Sequence, residues 1–325
     1  MADYRARLVE YQLVGDEFEE LLKRIPPGLK KLVLCAHDES TMQANDGQKA
    51  GWGPEDEQPL LKKGVGRGSH RSDVICSTVG WLKDAGQQLE YGKNYEGYWT
   101  GELFVKQLKE KIIPAFEAAH NPEEYQALFM VDNSQGHSAY PADALRVSLM
   151  NLNPGGAKPQ MRNGWFIING QKISQPMVFP QDHLTHPNEP KGMKQVLTER
   201  GLWRNGMLMV CKNKKDTTDG KCDPEAMDCC ATRILSLQPD FLEQKSLVQE
   251  TIEAADQLCI FLPKFHCELN FIEFFWGAVK RYLRKHCDYT YEGLKANLPN
   301  ALESVNLSTI VLKAISNKTS VCGDI

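Results

Sequence analysis

The 325 residues, 42% hydrophobic and 25% charged, are enough for about two domains and exclude a disordered or low-complexity chain. A formal net charge of −4 excludes a protein that holds nucleic acid by bulk charge, so any polyanion site must be a local basic patch. The polar start, MADYRARLVEYQLVGDEF, and the lack of a long apolar run speak against a signal peptide and a membrane helix, and ten cysteines without an export signal read as reduced thiols of an intracellular protein.

In chain order, residues 1–25 carry an apolar stripe (Leu8, Leu13, Val14, Phe18, Leu21, Leu22) that predicts a helix, ended by Pro26-Pro27. Leu32 to Ala36 predicts a buried strand with Asp38 at its C-terminal end. Residues 41–70, rich in Gly, Gln and charge, predict a loop or irregular hairpin, and Asp73 to Leu82 a second strand. Glu102 to Ala119 predicts a helix that Pro114 kinks or ends early. Ala127 to Val131 predicts a strand running into Asp132, and Ala142 to Met150 a short helix. The segment 151–250 changes character, with Pro- and Gly-rich stretches, a lysine-rich loop and the run CDPEAMDCC. Gln249 to Leu258 predicts a helix and Leu258 to Leu262 a strand. Asn270 predicts the cap of an amphipathic helix, with Glu273 in its first turn. Tyr291 to Val305 predicts a last helix broken at Pro299, and the closing residues NKTSVCGDI an irregular tail. Strands alternating with helices predict an α/β mixed sheet flanked by helices.

Asp38 and Asp132 each follow an apolar strand, and Glu273 opens a helix. Ligands of such sheets gather outside strand ends. Three carboxylates meeting there are hard oxygen ligands for Mg²⁺ or Mn²⁺, and two such ions clamp the attacking and leaving oxygens of a phosphoryl displacement. Singly, each acid has a plain explanation: Asp38 and Asp132 as turn residues, Glu273 as the partner of Asn270 in a capping box.

Together LCAHDES, FMVDNSQGH and LPKFHCELNFIEFFW resemble the motifs of DDE transposases of the mariner-like superfamily. The resemblance implies a ribonuclease-H-like core split by a long insertion between the second and third catalytic carboxylates: 1–150, an insertion over 151–250, 251–305, then a tail over 306–325. It implies Asp38, Asp132 and Glu273 as the catalytic, metal-binding triad, with Glu268 matching an acidic residue just before the helix. It further implies two Mg²⁺ or Mn²⁺ ions, phosphodiester hydrolysis followed by 3′-hydroxyl transesterification, double-stranded DNA (transposon ends and target) as partner, and a nuclear location. It admits a homodimer and implies no membrane. Cys267 and Phe271 stand where the family usually has prolines, and the interval from Asp132 to Glu273 far exceeds its usual few dozen residues. The first motif arrives by residue 38, ahead of any room for the family's helix-turn-helix modules, so a fragment, a degraded copy or a separately encoded core is expected. A catalytically inactive remnant that binds DNA or protein, and a plain metal nuclease, are the rival readings.

His137 orients a metal-bound carboxylate, contacts nucleic acid, or is an ordinary loop histidine. Lys62, Lys63, Arg67, Arg71, Lys280, Arg281 and Arg284 are candidates for a phosphate track, with a solvated surface as the plain alternative. Cys222, Cys229 and Cys230 with His183 and His186 offer metal-compatible side chains, but the spacing fits no finger and adjacent cysteines chelate awkwardly, so structural zinc is not expected. Cys35, Cys76, Cys211 and Cys259 lie in apolar runs and are expected in the core.

Overall fold

A computed structural model describes residues 2–14, 17–21, 23, 25–47, 62–92, 94–211, 222 and 225–321. The chain divides into two units, Met1–Ala139 with Leu247–Ile325, and Tyr140–Ser246. The elements in order are α1 (Ala2–Arg7), β1 (Tyr11–Val14), β2 (Glu17–Glu20), β3 (Lys31–Gln43), β4 (Gly68–Cys76), β5 (Gly80–Trp81), β6 (Gln87–Glu90), α2 (Gly101–Gln107), α3 (Ile113–Ala119) and β7 (Tyr125–Val131). The second unit holds β8 (Gly164–Ile168), β9 (Gln171–Gln175), α4 (Met193–Glu199), α5 (Ala231–Ser236) and α6 (Pro239–Leu242). The chain returns through α7 (Leu247–Ala254), β10 (Leu258–Phe261), α8 (Ile272–Lys285), α9 (Tyr291–Glu303) and α10 (Leu307–Val321).

The first unit is built on a six-stranded mixed sheet, in the order β10-β7-β3-β4-β5 with β6 also on β4. Strands β3, β7 and β10 are parallel, and β4 runs antiparallel to β3. The apolar runs form these strands because side chains alternate faces and helices cover both. Leu32, Leu34, Ala36, Leu128 and Met130 face α8, α9 and α10, packing with Phe275, Trp276, Val279 and Leu298. Val33, Cys35, Ala127 and Phe129 face the other way, against Phe104, Ile112, Phe116 and Ile252 of α2, α3, α7 and the turn between α2 and α3. Each such large side chain contributes about 1.5–3 kcal/mol by leaving water. This mixed sheet flanked by helices is consistent with a ribonuclease-H-like core.

Several expectations need correction. Residues 1–25 are not one helix: α1 stops at Arg7, and β1 and β2 pair with Leu13 opposite Phe18. The apolar stripe fits strand spacing as well as helical spacing, and the cross-strand pairing prevails. Strand β3 runs on to Gln43, so Asp38 lies within it; β4 supplies the partner, and residues 48–61 of the expected loop lie outside the described residues. Around Pro114 the expectation holds: the regular α2 ends at Gln107, a π-turn over Leu108–Ile112 follows, and Pro114 lies in the first turn of α3. Pro299 sits inside an unbroken α9. Ala142 to Met150 yields only a 3-10 turn over Val147–Leu149, and the expected irregular tail is helical to Val321, with 322–325 outside the described residues.

The second unit starts at Tyr140, ahead of the expected insertion boundary. Its core gathers Leu145, Met150, Met161, Met193, Leu197 and Leu235. Beside them lies a bidentate Arg200–Asp240 ion pair with side chains 1% and 0% exposed.

Candidate active site

Pairing between β3 and β7 ends at Ala36–Met130, and between β7 and β10 at Phe261–Val131. Asp38 and Asp132 therefore stand just beyond the shared ends of parallel strands, where a sheet of this kind opens a crevice. Asp38 shares the parity of Leu34 and Ala36, which turns it to the α8 face, and it lies opposite Asp73 of β4.

Glu273 reaches the same place through Asn270. The Asn270 side chain does not cap α8, whose N-cap position is Phe271 without a side-chain bond. Instead its Nδ2 donates to the His37 carbonyl at 2.9 Å, which pins the start of α8 to β3 one residue from Asp38. The capping box is thus not formed, and Glu273 is exposed. Asp38, Asp132, Asn270 and Glu273 line one open cleft of about 390 Å³, with Lys264, Phe265 and His266 on its rim.

The acids perturb one another. Burial, then repulsion from Glu39, Glu273 and Asp132, pushes the Asp38 carboxyl up to about 8. Asp132, 42% exposed, is held by His137 Nδ1, while His137 Nε2 donates to Glu39 at 3.1 Å. Both ring nitrogens face carboxylates, so both carry protons. Burial works against that charge, but the bonds to Asp132 and Glu39 lift His137 to about 10. Burial resists ionisation of Glu39 too, yet the imidazoles of His37 and His137 bring it down to about 2. Burial pulls His37 down to about 4, leaving it neutral at pH 7, so the charge facing Glu39 is that of His137. His37, Glu39 and His137 approach each other closely enough for a metal, and without one the two ring nitrogens of His137 bond the carboxylates of Asp132 and Glu39. They form a relay that orients Asp132. A Cβ on Gly101 would run into the Gly136 carbonyl, so glycine there lets the loop after β7 sit against α2, with His137 beside Phe104 at 4.5 Å.

No family model matches this chain, and no curated protein matches it. Among solved structures it is similar to the one described as the Mos1 transposase paired-end complex with left transposon end, at 9% identity and a TM-score of 0.42. The match covers 88% of this chain and 52% of that one, so this chain spans about half the length of that transposase.

The cleft fits a small divalent cation by its chemistry. Three carboxylates are hard oxygen donors, and a cation would offset both the burial and the repulsion that keep Asp38 protonated. Asn270 Oδ1, buried at the cleft, has no hydrogen-bond partner.

None of Lys62, Lys63, Arg67, Arg71, Lys280, Arg281 or Arg284 lines the cleft. Arg71 pairs with buried Asp73 at 2.7 Å, Arg67 with Glu90 between the Tyr95 and Tyr291 rings, and Arg284 with Asp46 at 2.9 Å. Lys62 donates to the Tyr289 carbonyl. His137 serves Asp132 from beneath, outside the cleft lining. Sequence reasoning missed Glu39, His37 and Lys264. Glu39 was legible as the neighbour of Asp38 in LCAHDES, which strand alternation sends to the opposite face.

Proposed function

We propose that this chain is a transposase-type DNA endonuclease and strand-transfer core. The observation that supports it most is the meeting of Asp38, Asp132 and Glu273, distant in sequence, in one cleft at the ends of parallel strands. The three carboxylates would hold a pair of Mg²⁺ or Mn²⁺ ions, which supply Lewis-acid charge at the phosphodiester and lower the pKa of the attacking hydroxyl. His137 fixes Asp132, and Asn270 fixes the helix that carries Glu273. Lys264 on the rim offers a positive charge to a phosphate. Phe265, 98% exposed, with φ +68°, offers its ring to an unpaired base. Water attacks a phosphodiester of duplex DNA, leaving a 3′-hydroxyl on one product and a 5′-phosphate on the other. That 3′-hydroxyl then attacks a target phosphodiester, forming one ester bond and breaking another.

The arginine pairing favours a second reading, a remnant that keeps the fold without cutting. Arg67, Arg71 and Arg284 are already neutralised within the protein. Plasmid nicking in Mg²⁺ or Mn²⁺ separates the two. The proposal expects nicking by the wild-type chain, lost in Asp132→Asn and Glu273→Gln, and joining of an oligonucleotide with a free 3′ end. Absence of nicking, or nicking that persists in Glu273→Gln, overturns it. Nicking without joining reduces it to a simple nuclease.

A further inference from the structure

We propose that Cys211, Cys222, Cys229 and Cys230 of the second unit form a structural zinc site. Their four sulfurs lie within 4.8 Å of one another. Cys222 Sγ is 3.7 Å from Cys211 Sγ and 3.6 Å from Cys230 Sγ. A tetrahedron with Zn–S bonds of about 2.3 Å has edges of about 3.8 Å. The observed separations are close to that edge and far from the about 2.05 Å of a disulfide. They are also too short for the ligands of an iron–sulfur cluster, whose cysteines surround several metal and sulfide atoms.

Local structure accounts for the convergence. The Ala231 amide donates to the Leu208 carbonyl at 2.9 Å and the Thr232 amide to the Met209 carbonyl at 3.0 Å, so the chain before Cys211 lies along the start of α5. Cys230 occupies the N-cap of α5, in extended conformation and making no side-chain cap bond. The bend at Cys229 brings the adjacent pair to one centre, although two neighbours in a straight strand point apart. Cys230 is buried, Cys211 and Cys222 are half-buried and Cys229 is exposed, so the site is closed on one side only. Cys211 is thus not the core thiol its apolar run suggests. His183 and His186 take no part: His186 Nδ1 meets Glu189 at 2.8 Å, and His183 Nδ1 accepts from the His186 amide.

Four thiols with no carboxylate or imidazole among them are a soft donor set, which selects zinc over Mg²⁺ or Ca²⁺. Binding releases four thiol protons and leaves the centre with a net charge of −2. Zinc would tie Cys211 and Cys222 to the start of α5, whose Ala231, Ile234 and Leu235 enter the core of this unit.

The test is the metal content of the full-length chain, purified without chelator and measured by elemental mass spectrometry. One zinc per chain is expected, lost in Cys222→Ser and Cys229→Ser and kept in Cys287→Ser. Replacement by Co²⁺ should give the visible absorption of a tetrahedral thiolate centre. In the unmutated protein, a mercurial should release zinc as four thiols react, a readout that stands even where a serine variant fails to fold. A metal-free chain, iron in place of zinc, or the mass loss of two hydrogens for a disulfide among these cysteines would overturn the proposal.

Discussion

In the sheet-bearing unit the centre is apolar on both faces of β3 and β7, and buried charge lies to its side, in the acids near the strand ends and in the Arg71–Asp73 pair of β4. In the Tyr140–Ser246 unit the centre itself holds charge. Arg200 and Asp240 form their pair beneath the Phe166 and Phe241 rings, Asp240 also accepts the Trp165 amide, and Arg200 Nε donates to Gln175. The first unit is specified by a repeating pattern of side chains. The second is specified by single polar pins that work only when every partner is present.

That contrast can be broken most forcefully at Arg200. Arg200→Met leaves Asp240 buried without its partner and should cost about 3–5 kcal/mol. Urea unfolding of the full chain would measure it. A cost below about 1 kcal/mol would mean that the pair does not organise its unit.

Next comes the charge at the strand ends. Asp38, raised from 3.8 to about 8, keeps its proton when the folded chain is metal-free, whereas the unfolded chain releases it above about pH 4. Its contribution is therefore fully present below that point and is lost as pH rises through about 8. Melting of the metal-free protein should fall over that window by a few degrees. Mg²⁺ or Mn²⁺ should recover the loss at pH 8, and Asp38→Asn should flatten both effects. A flat wild-type profile would remove the idea of a carboxylate held neutral by burial and by its neighbours.

Smaller effects sharpen the picture of the apolar unit. Ile272→Val, at a fully buried position at the start of α8, should cost about 1 kcal/mol by the small cavity it leaves. Phe265→Ala should change stability by less than about 0.5 kcal/mol because the ring touches mainly solvent. If the ring stacks on a base, the same change should weaken binding of a single-stranded oligonucleotide about tenfold. Unchanged binding would make the ring a bystander.

The same contrast explains what could be read in advance. Leu32 to Ala36, Ala127 to Val131 and Leu258 to Leu262 were legible because strands buried on both faces are unbroken apolar runs. Asp38 and Asp132 were legible as residues that follow such runs, and Glu273 as the acid in the first turn of the helix after Asn270. The N-terminal hairpin was obscured because Leu13, Val14 and Phe18 satisfy helical and strand spacing alike. The hold of His137 on Asp132 and Glu39 was partly legible from the spacing to Asp132, whereas its bond to Glu39 joins residues 98 positions apart. Within the second unit, methionines and an ion pair leave no period to find. Its cysteines, spaced unlike any finger, meet only after Leu208 and Met209 pair with the start of α5.

One bond has a mechanical consequence. Because Asn270 is fastened to the backbone next to Asp38, helix and strand form a stiff jaw that carries two of the acids. Asp132 is the hinged member, on a loop and steadied by a lone imidazolium. Whatever adjustment distinguishes the about 2.1 Å bonds of Mg²⁺ from the longer bonds of a larger ion would fall on that arm. Tightening or loosening the grip of His137 would then retune which ion the cleft prefers and leave the jaw in place.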